Sequence, residues 1–314
     1  RLIGLILTKA EEVKLTVTNL FNGSAKLGME NNQGGKNQVI NNFCEHPADY
    51  YQIENTRYCP NKQKNQNSFY DFWTNHNQIQ TKFIKMWEYV ADSLSDCENI
   101  IGYDYFNEPY IHKDGRKVFL GLVSNIVKTV YGKNIDFEKY FKSRHDKWNF
   151  AKMALKIFSL IRTRKGFHNL LSTMDSEEKF YDAINGLEQY TKEFNSDYYQ
   201  PFFDDACKNA NKKGIFNFFE HNYYSNMGLP FEINTKENDV YSPHAYDIFV
   251  DSPLYNKYSS DNRVGCILRE IRKNQLKMNV PVLFGEWGGS APGHEWLKHI
   301  DFIMNEFEKY HWSN

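Results

Sequence analysis

Cysteine, proline, long apolar runs and any excess of charge are all scarce in this chain of 314 residues. Its five cysteines are odd in number and form no Cys-x-x-Cys pair, which argues against a structural zinc site or a disulfide scaffold. Nine prolines are too few for a proline-rich linker protein. The longest apolar runs, such as residues 2–7, fall far short of the ~20 residues that a bilayer span needs, and the mean hydropathy is −0.68. With 38 basic against 39 acidic residues, a net charge of −1 leaves no electrostatic footprint for nucleic acid. Neither a Gly-x-Gly-x-x-Gly nor a Walker sequence follows any expected strand, so a nucleotide-binding fold gains no support. What the chain has in quantity is aromatic surface: 24 Phe, 21 Tyr and 6 Trp supply a core that a disordered chain could not. The class expected is a soluble enzyme or binding protein.

Asn and Gln crowd residues 1–67, and Gly34, Gly35 and Pro47 punctuate them. Strands are expected there at 2–7 and 13–17 only. Cys44 and Cys59 lie in this polar stretch and are the pair placed to bridge in an oxidising compartment. Asn22-Gly23-Ser24 is a glycosylation acceptor. These two hints set the expected location as secreted or lysosomal/vacuolar. From His76 the pattern sharpens: Ile79, Phe83, Trp87, Val90, Ala91 and Leu94 form one apolar stripe at helical spacing. A strand at 100–106 follows.

Residues 115–195 read as helical, at 118–131, 148–161 and 180–190. Their Arg162, Arg164 and Lys165 are interleaved with acids as on a solvated face. Alternation then resumes, with helix 198–211, strands 215–220 and 240–246, helix 263–277, strand 280–286 and helix 296–310. Short apolar strands between helices imply a parallel sheet, either doubly wound or closed as a (β/α)₈ TIM barrel.

The chemistry gathers where strands end. One strand runs into Asn107-Glu108-Pro109 and another into Glu286-Trp287-Gly288-Gly289, and between them a strand carries His244 and Tyr246. In a parallel barrel the carboxyl ends of several strands build the active site. Two glutamates there match glycoside hydrolysis, in which one carboxyl protonates the leaving oxygen and the other attacks the anomeric carbon. Taken singly, each residue has a blander role: a loop glutamate, a hydrogen-bonded core histidine, a packing tryptophan. Their joint occurrence on successive strands favours the catalytic reading.

Three segments then resemble glycoside hydrolase family 5, the cellulase family, and within it the endoglycoceramidase-like branch. They are Gly102-Tyr103-Asp104-Tyr105-Phe106-Asn107-Glu108-Pro109, Tyr241-Ser242-Pro243-His244-Ala245-Tyr246-Asp247, and Pro281-Val282-Leu283-Phe284-Gly285-Glu286-Trp287-Gly288. Phe69-Tyr70-Asp71-Phe72-Trp73 and the helix through Trp87 are similar to that branch too. The resemblance implies a single catalytic domain over 1–314, a (β/α)₈ barrel with a divergent part at 1–67 and a helical insertion at 115–195. It makes Glu108 the acid/base and Glu286 the nucleophile of a retaining β-glycosidase, with the carboxyl groups ~5–5.5 Å apart. Asn107 would bond the sugar 2-hydroxyl, His244 would tune Glu108, Tyr246 would donate to Glu286, and Trp287 would stack on a sugar or simply pack.

No cofactor and no metal are implied, since His221, His244 and the carboxylates lack a ligand spacing. The expected partner is a carbohydrate or glycolipid substrate, with transient contact at lipid surfaces, no membrane span and no nucleic acid. The sequence departs from that branch in lacking its Asp-x-His-Gln within residues 1–67, where residues 29–35 offer at most a remnant. The first strands are not evident, residues 310–314 stop where an eighth strand should begin, and 178 positions separate the two glutamates. Three functions stay open: hydrolysis of the glucosyl-ceramide linkage of glycosphingolipids, an endo-β-1,4-glucanase, or a catalytically impaired carbohydrate-binding relative or fragment.

Overall fold

The structure is a computed structural model and describes residues 69–111, 114–134, 155, 163–211, 214–250, 255–289 and 297–314. The strands expected at 2–7 and 13–17, the pair Cys44 and Cys59, and the helix at 148–161 apart from Leu155 lie outside the described residues. Cys97, Cys207 and Cys266 carry free thiols.

Helix α1 (Ile79–Ser93) buries Phe83, Ile84, Met86, Trp87, Val90 and Ala91, the stripe that its spacing dictates. The chain enters it through Asn75, Asn77 and Gln78, all with left-handed backbone. Gln78 holds the N-cap position without a side-chain bond, and Asn75 Oδ1, from before it, accepts from the first-turn Thr81 N–H at 3.0 Å. Two indole N–H groups tie this region to the segment after the first strand: Trp87 donates to the Tyr105 carbonyl at 3.0 Å and Trp73 to that of Tyr110 at 2.8 Å. Phe72, Trp73, Phe83, Phe106 and Phe202 pack edge-on or tilted around that junction.

Strands β1 (Gly102–Asp104), β2 (Phe216–Phe219) and β3 (Asp239–Tyr241) pair in parallel in that order, with Gly102 opposite Phe216 and Phe218 opposite Val240. A Cβ at Gly102 would run into the Phe216 carbonyl and the Phe218 ring, so the close approach of β1 to β2 requires glycine. Strand β4 (His244–Ala245) pairs in parallel with β5 (Glu286–Trp287). Parallel bridges from Tyr241 to Val282 and from Leu283 to Ser313 carry the array further.

The single strand expected at 240–246 is two short pieces. Pro243 has no N–H to give a ladder, and the Gly285 N–H instead donates to its carbonyl at 3.2 Å. Within residues 310–314, expected to stop where an eighth strand should begin, Ser313 bridges to the sheet: Phe284 N–H donates to the Ser313 carbonyl at 2.8 Å, and Ser313 N–H to that of Val282 at 3.2 Å. Among the described residues β1 pairs with β2 alone, so these strands form an open parallel array.

Between β1 and β2 run α2 (Gly115–Tyr131), α3 (Arg164–Met174), α4 (Glu177–Ile184), α5 (Gln189–Phe194), a π turn (Asn195–Tyr199) and α6 (Gln200–Ala210). The helix expected at 180–190 is broken at Asn185-Gly186, where Gly186 takes φ 78°. Val118, Phe180, Ala183, Ile184 and Phe194 share one buried cluster with Phe219 and Tyr241 of the sheet. After β4 come α7 (Tyr255–Tyr258) and α8 (Asp261–Met278), and α9 (Leu297–Tyr310) follows β5. On α9, His299, Ile303 and Phe307 are buried. No described helix is long and apolar enough to cross a membrane.

Candidate active site

Glu108 leaves the end of β1 with φ 44°, a conformation that costs a residue with a Cβ about 1–2 kcal/mol. Its neighbours hold it there. The backbone N–H of Glu108 donates to Glu220 Oε2 at 2.5 Å, and its Oε1 accepts from Asn226 Nδ2 at 2.8 Å and from His244 Nδ1 at 3.0 Å. His244, fully buried, faces Glu220 Oε1 with its other nitrogen at 3.2 Å and stands 3.7 Å from Glu286 Oε2. Tyr246 donates its hydroxyl proton to Glu286 Oε2 at 3.1 Å. One oxygen each from Glu108 and Glu286 and a nitrogen of His244 lie within 4.8 Å of one another.

The two glutamates differ in setting. The side chain of Glu108 is 1% exposed and that of Glu286 31%, so solvent reaches one carboxylate and not the other. Parallel pairing of β4 with β5 sets His244 opposite Glu286. Gly285 makes room for this: a Cβ there would lie 2.8 Å from Ser242 Oγ and 3.1 Å from His244 Nε2. Asn107, part-buried, presents an Nδ2 that is buried without a protein partner. Trp287 is half-buried and meets Phe307 edge-on at 5.1 Å. Of the residues expected from sequence, Glu108, His244, Tyr246 and Glu286 are thus brought into one cluster, made of two hydrogen-bonded pairs, His244–Glu108 and Tyr246–Glu286, that approach at 3.7 Å. Asn107 is set beside Glu108 in the chain, and Trp287 is packed on the core edge.

Three residues that the sequence reading did not weigh as catalytic complete the cluster: Glu220, His221 and Asn226. Glu220 and His221 directly follow β2, the position that singled out the others, and Asn226 lies in the 3-10 helix Tyr223–Met227 beyond it. Burial opposes charge on His244, but the Glu220 and Glu108 carboxylates more than offset it and raise its pKa well above the usual histidine value. Burial raises Glu220, with His244 pulling the other way. Burial and then Glu220 raise Asp104, whose Oδ1 is buried although the residue as a whole is only part-covered. The cluster therefore holds protons that the unfolded chain would release. A cation spanning Glu108, His244 and Glu286 would have to displace the proton that the neighbouring carboxylates favour on His244.

A raised folded-state pKa on His244 contributes stability that is complete below the unfolded value of about 6.5 and is lost as pH rises through the folded value. Urea-unfolding midpoints are expected to fall from pH 6.5 towards alkaline pH, and Glu220→Gln, which removes the main stabilising charge, should flatten that fall. A profile equally steep in the variant would show that His244 does not owe its proton to Glu220.

A depression lined in part by Asp204, Cys207, Gly214, Asn217 and Asn238 lies at the amino ends of β2 and β3. It is remote in the fold from the carboxylates, on the face that in parallel α/β sheets serves stability.

A family model described as Cellulase (glycosyl hydrolase family 5) matches residues 55–314. Among solved structures the chain is similar to endo-glycoceramidase II from Rhodococcus sp. in a five-membered iminocyclitol complex, at 14% identity and a TM-score of 0.42 over 79% of this chain and 43% of that one. The ganglioside GM3 complex of that protein gives 13% identity and 0.42 over 79% and 42%, and its lactosyl-enzyme intermediate 14% and 0.41 over the same shares. The chain thus spans less than half the length of these structures. No curated protein matches it.

Proposed function

Because this chain belongs to the cellulase family, glycosyl hydrolase family 5, we propose that it is a retaining β-glycosidase, with Glu108 as acid/base and Glu286 as nucleophile. The observation that carries this reading is the paired carboxylate oxygens within 4.8 Å, close to the spacing of retaining enzymes and too short for a water between them. In the first step a Glu286 oxygen bonds to the anomeric carbon, the glycosidic bond breaks, and Glu108 gives its proton to the departing oxygen. In the second, Glu108 takes a proton from water, whose oxygen attacks the anomeric carbon and releases Glu286.

Tyr246 orients the nucleophile, and Asn107 offers its unpartnered N–H to the sugar 2-hydroxyl, a bond that strengthens in the transition state. His244 supports Glu108, and Trp287 forms an apolar rim. The strands then belong to a (β/α)₈ barrel, with 115–195 as a helical insertion. The substrate is a β-glucoside, which the branch-like motifs extend to the glucosyl-ceramide linkage of a glycosphingolipid met at a lipid surface, in a secreted or lysosomal/vacuolar compartment.

A fluorogenic β-cellobioside should be hydrolysed by the parent chain and not by Glu286→Gln; a folded parent inert on all β-glycosides would favour an impaired carbohydrate-binding relative. Glycolipid micelles tested against soluble β-1,4-glucan then separate the glycosphingolipid reading from an endoglucanase. Tyr246→Phe removes a hydrogen bond to a charged acceptor, worth about 1.5–3 kcal/mol, so kcat/KM is expected to fall about 10–100-fold. An unchanged kcat/KM would count against a role for Tyr246 at the nucleophile.

A further inference from the structure

We propose that Asn226 is a positioning residue for Glu108, and that its orientation is imposed by a one-way chain of hydrogen bonds that starts at the Tyr241 hydroxyl. The proposal deepens the reading of Glu108 as acid/base and rests on it. The Tyr241 hydroxyl is fully buried and lies 2.7 Å from His221 Nδ1. Its proton is directed at that nitrogen, so Nδ1 is the accepting nitrogen.

A neutral imidazole that accepts at Nδ1 carries its proton on Nε2. Nε2 lies 2.5 Å from Asn226 Oδ1 and donates to it. Asn226 is left with its NH₂ facing Glu108 Oε1 at 2.8 Å. Reversing any member would set an amide oxygen against a carboxylate oxygen. Tyr241 and His221 are 0% and 1% exposed, so water does not scramble the order. Burial, and next the charge of His244, hold His221 down to about 3, which keeps it neutral as the chain requires. Glu108 Oε1 is thereby clamped from two sides, by the cation of His244 and by an amide whose direction is fixed several residues away. An acid that must give and retake a proton along one line depends on such placement, because a 1 Å error costs on the order of 10²-fold.

Two measurements test this. Nitrogen-15 NMR of the full-length protein should show His221 as the Nε2–H tautomer from about pH 5 to 8, within the range where free histidine titrates. A Nδ1–H tautomer would overturn the chain, since Asn226 would then present its oxygen to Glu108; an imidazolium would overturn it at Tyr241, whose hydroxyl could no longer donate to Nδ1. The second compares Asn226→Ala with the parent on two β-glucosides. With a poor alkyl leaving group, which needs the acid, kcat/KM should fall about 10–100-fold, part of the 10²–10⁴ that general acid catalysis supplies. With an activated dinitrophenyl leaving group it should stay within about threefold. Equal losses on both would reduce Asn226 to a structural residue and overturn the proposal. A parent without activity would sink the glycosidase reading, and the tautomer would still decide the hydrogen-bond chain.

Discussion

Glu108→Ala is expected to lose about 10²–10⁴-fold in kcat/KM on a β-glucoside with a poor leaving group, while still forming the glycosyl-enzyme from an activated aryl β-glucoside. Such a leaving group needs little protonation, so the first step survives. Breakdown slows because no base remains to activate water. Added azide needs no base and should restore turnover, yielding the β-glycosyl azide by attack on the α-linked intermediate. The structure favours this rescue for a physical reason. Removing the carboxylate leaves Asn226 Nδ2 and the raised-pKa His244, which lay 2.8 and 3.0 Å from it, facing a space the size of a small anion. Glu286→Ala should lose on the order of 10⁴-fold or more and give the α-glycosyl azide, because azide then takes the nucleophile's own face. Product stereochemistry by NMR therefore assigns the two carboxylates independently of any rate. Azide rescue of neither variant, in folded protein from an active parent, would end the retaining assignment.

How far the site could be read from sequence depended on how local each signal is. Glu108, His244, Tyr246 and Glu286 each end a short apolar run, so sequence alone placed them on one edge of a parallel sheet. Glu220 and His221 follow Phe216–Phe219 with the same signature. No family motif marks either, and the partners of Glu220 (Asp104 and Glu108) are more than a hundred positions away, while His221 meets Tyr241 and Asn226 instead. Strand length was less legible. Apolar content at 240–246 says nothing of where the ladder stops, whereas Pro243, lacking a donor, cuts it. The break at Asn185-Gly186 was available as a turn dipeptide, yet apolar residues continue past it to Leu187 and Tyr190 and carry the helical pattern across. The stripe of α1 was read correctly since a 3.6-residue period depends on nothing outside the helix, and Phe83, Trp87, Val90 and Ala91 are all buried.

Arg263 is where sequence gave no warning and where the largest loss of stability is expected. It opens α8 with its side chain wholly enclosed, although arginine is almost never fully buried unless paired. Its Nε and Nη2 donate to Asp247 Oδ2 at 3.1 and 2.9 Å, its Nη1 to Asp175, and Nη2 also to the Tyr258 carbonyl. Asp247, equally enclosed, accepts in addition from the backbone N–H groups of Phe249 and Ser260, at 2.9 Å each. One ion pair thus closes the loop that leaves Tyr246 and returns to α8. Arg263→Met would keep the volume but strand the Asp247 charge in a site without water, and losing one partner of a buried pair costs about 3–5 kcal/mol. Urea denaturation should show that loss as a lower midpoint at an unchanged slope. Adding Asp247→Asn should recover part of it, because the stranded charge goes while an amide oxygen remains for one of the two N–H groups, and with the Asp247→Asn single variant the cycle gives the coupling between the two residues. A loss below about 1 kcal/mol for Arg263→Met, the scale of an exposed pair, would mean that water reaches Asp247. With Tyr246 next to Asp247 in the chain, the same variant should also lower kcat/KM in the direction of Tyr246→Phe, since a nucleophile's hydrogen-bond donor is only as fixed as the loop that carries it.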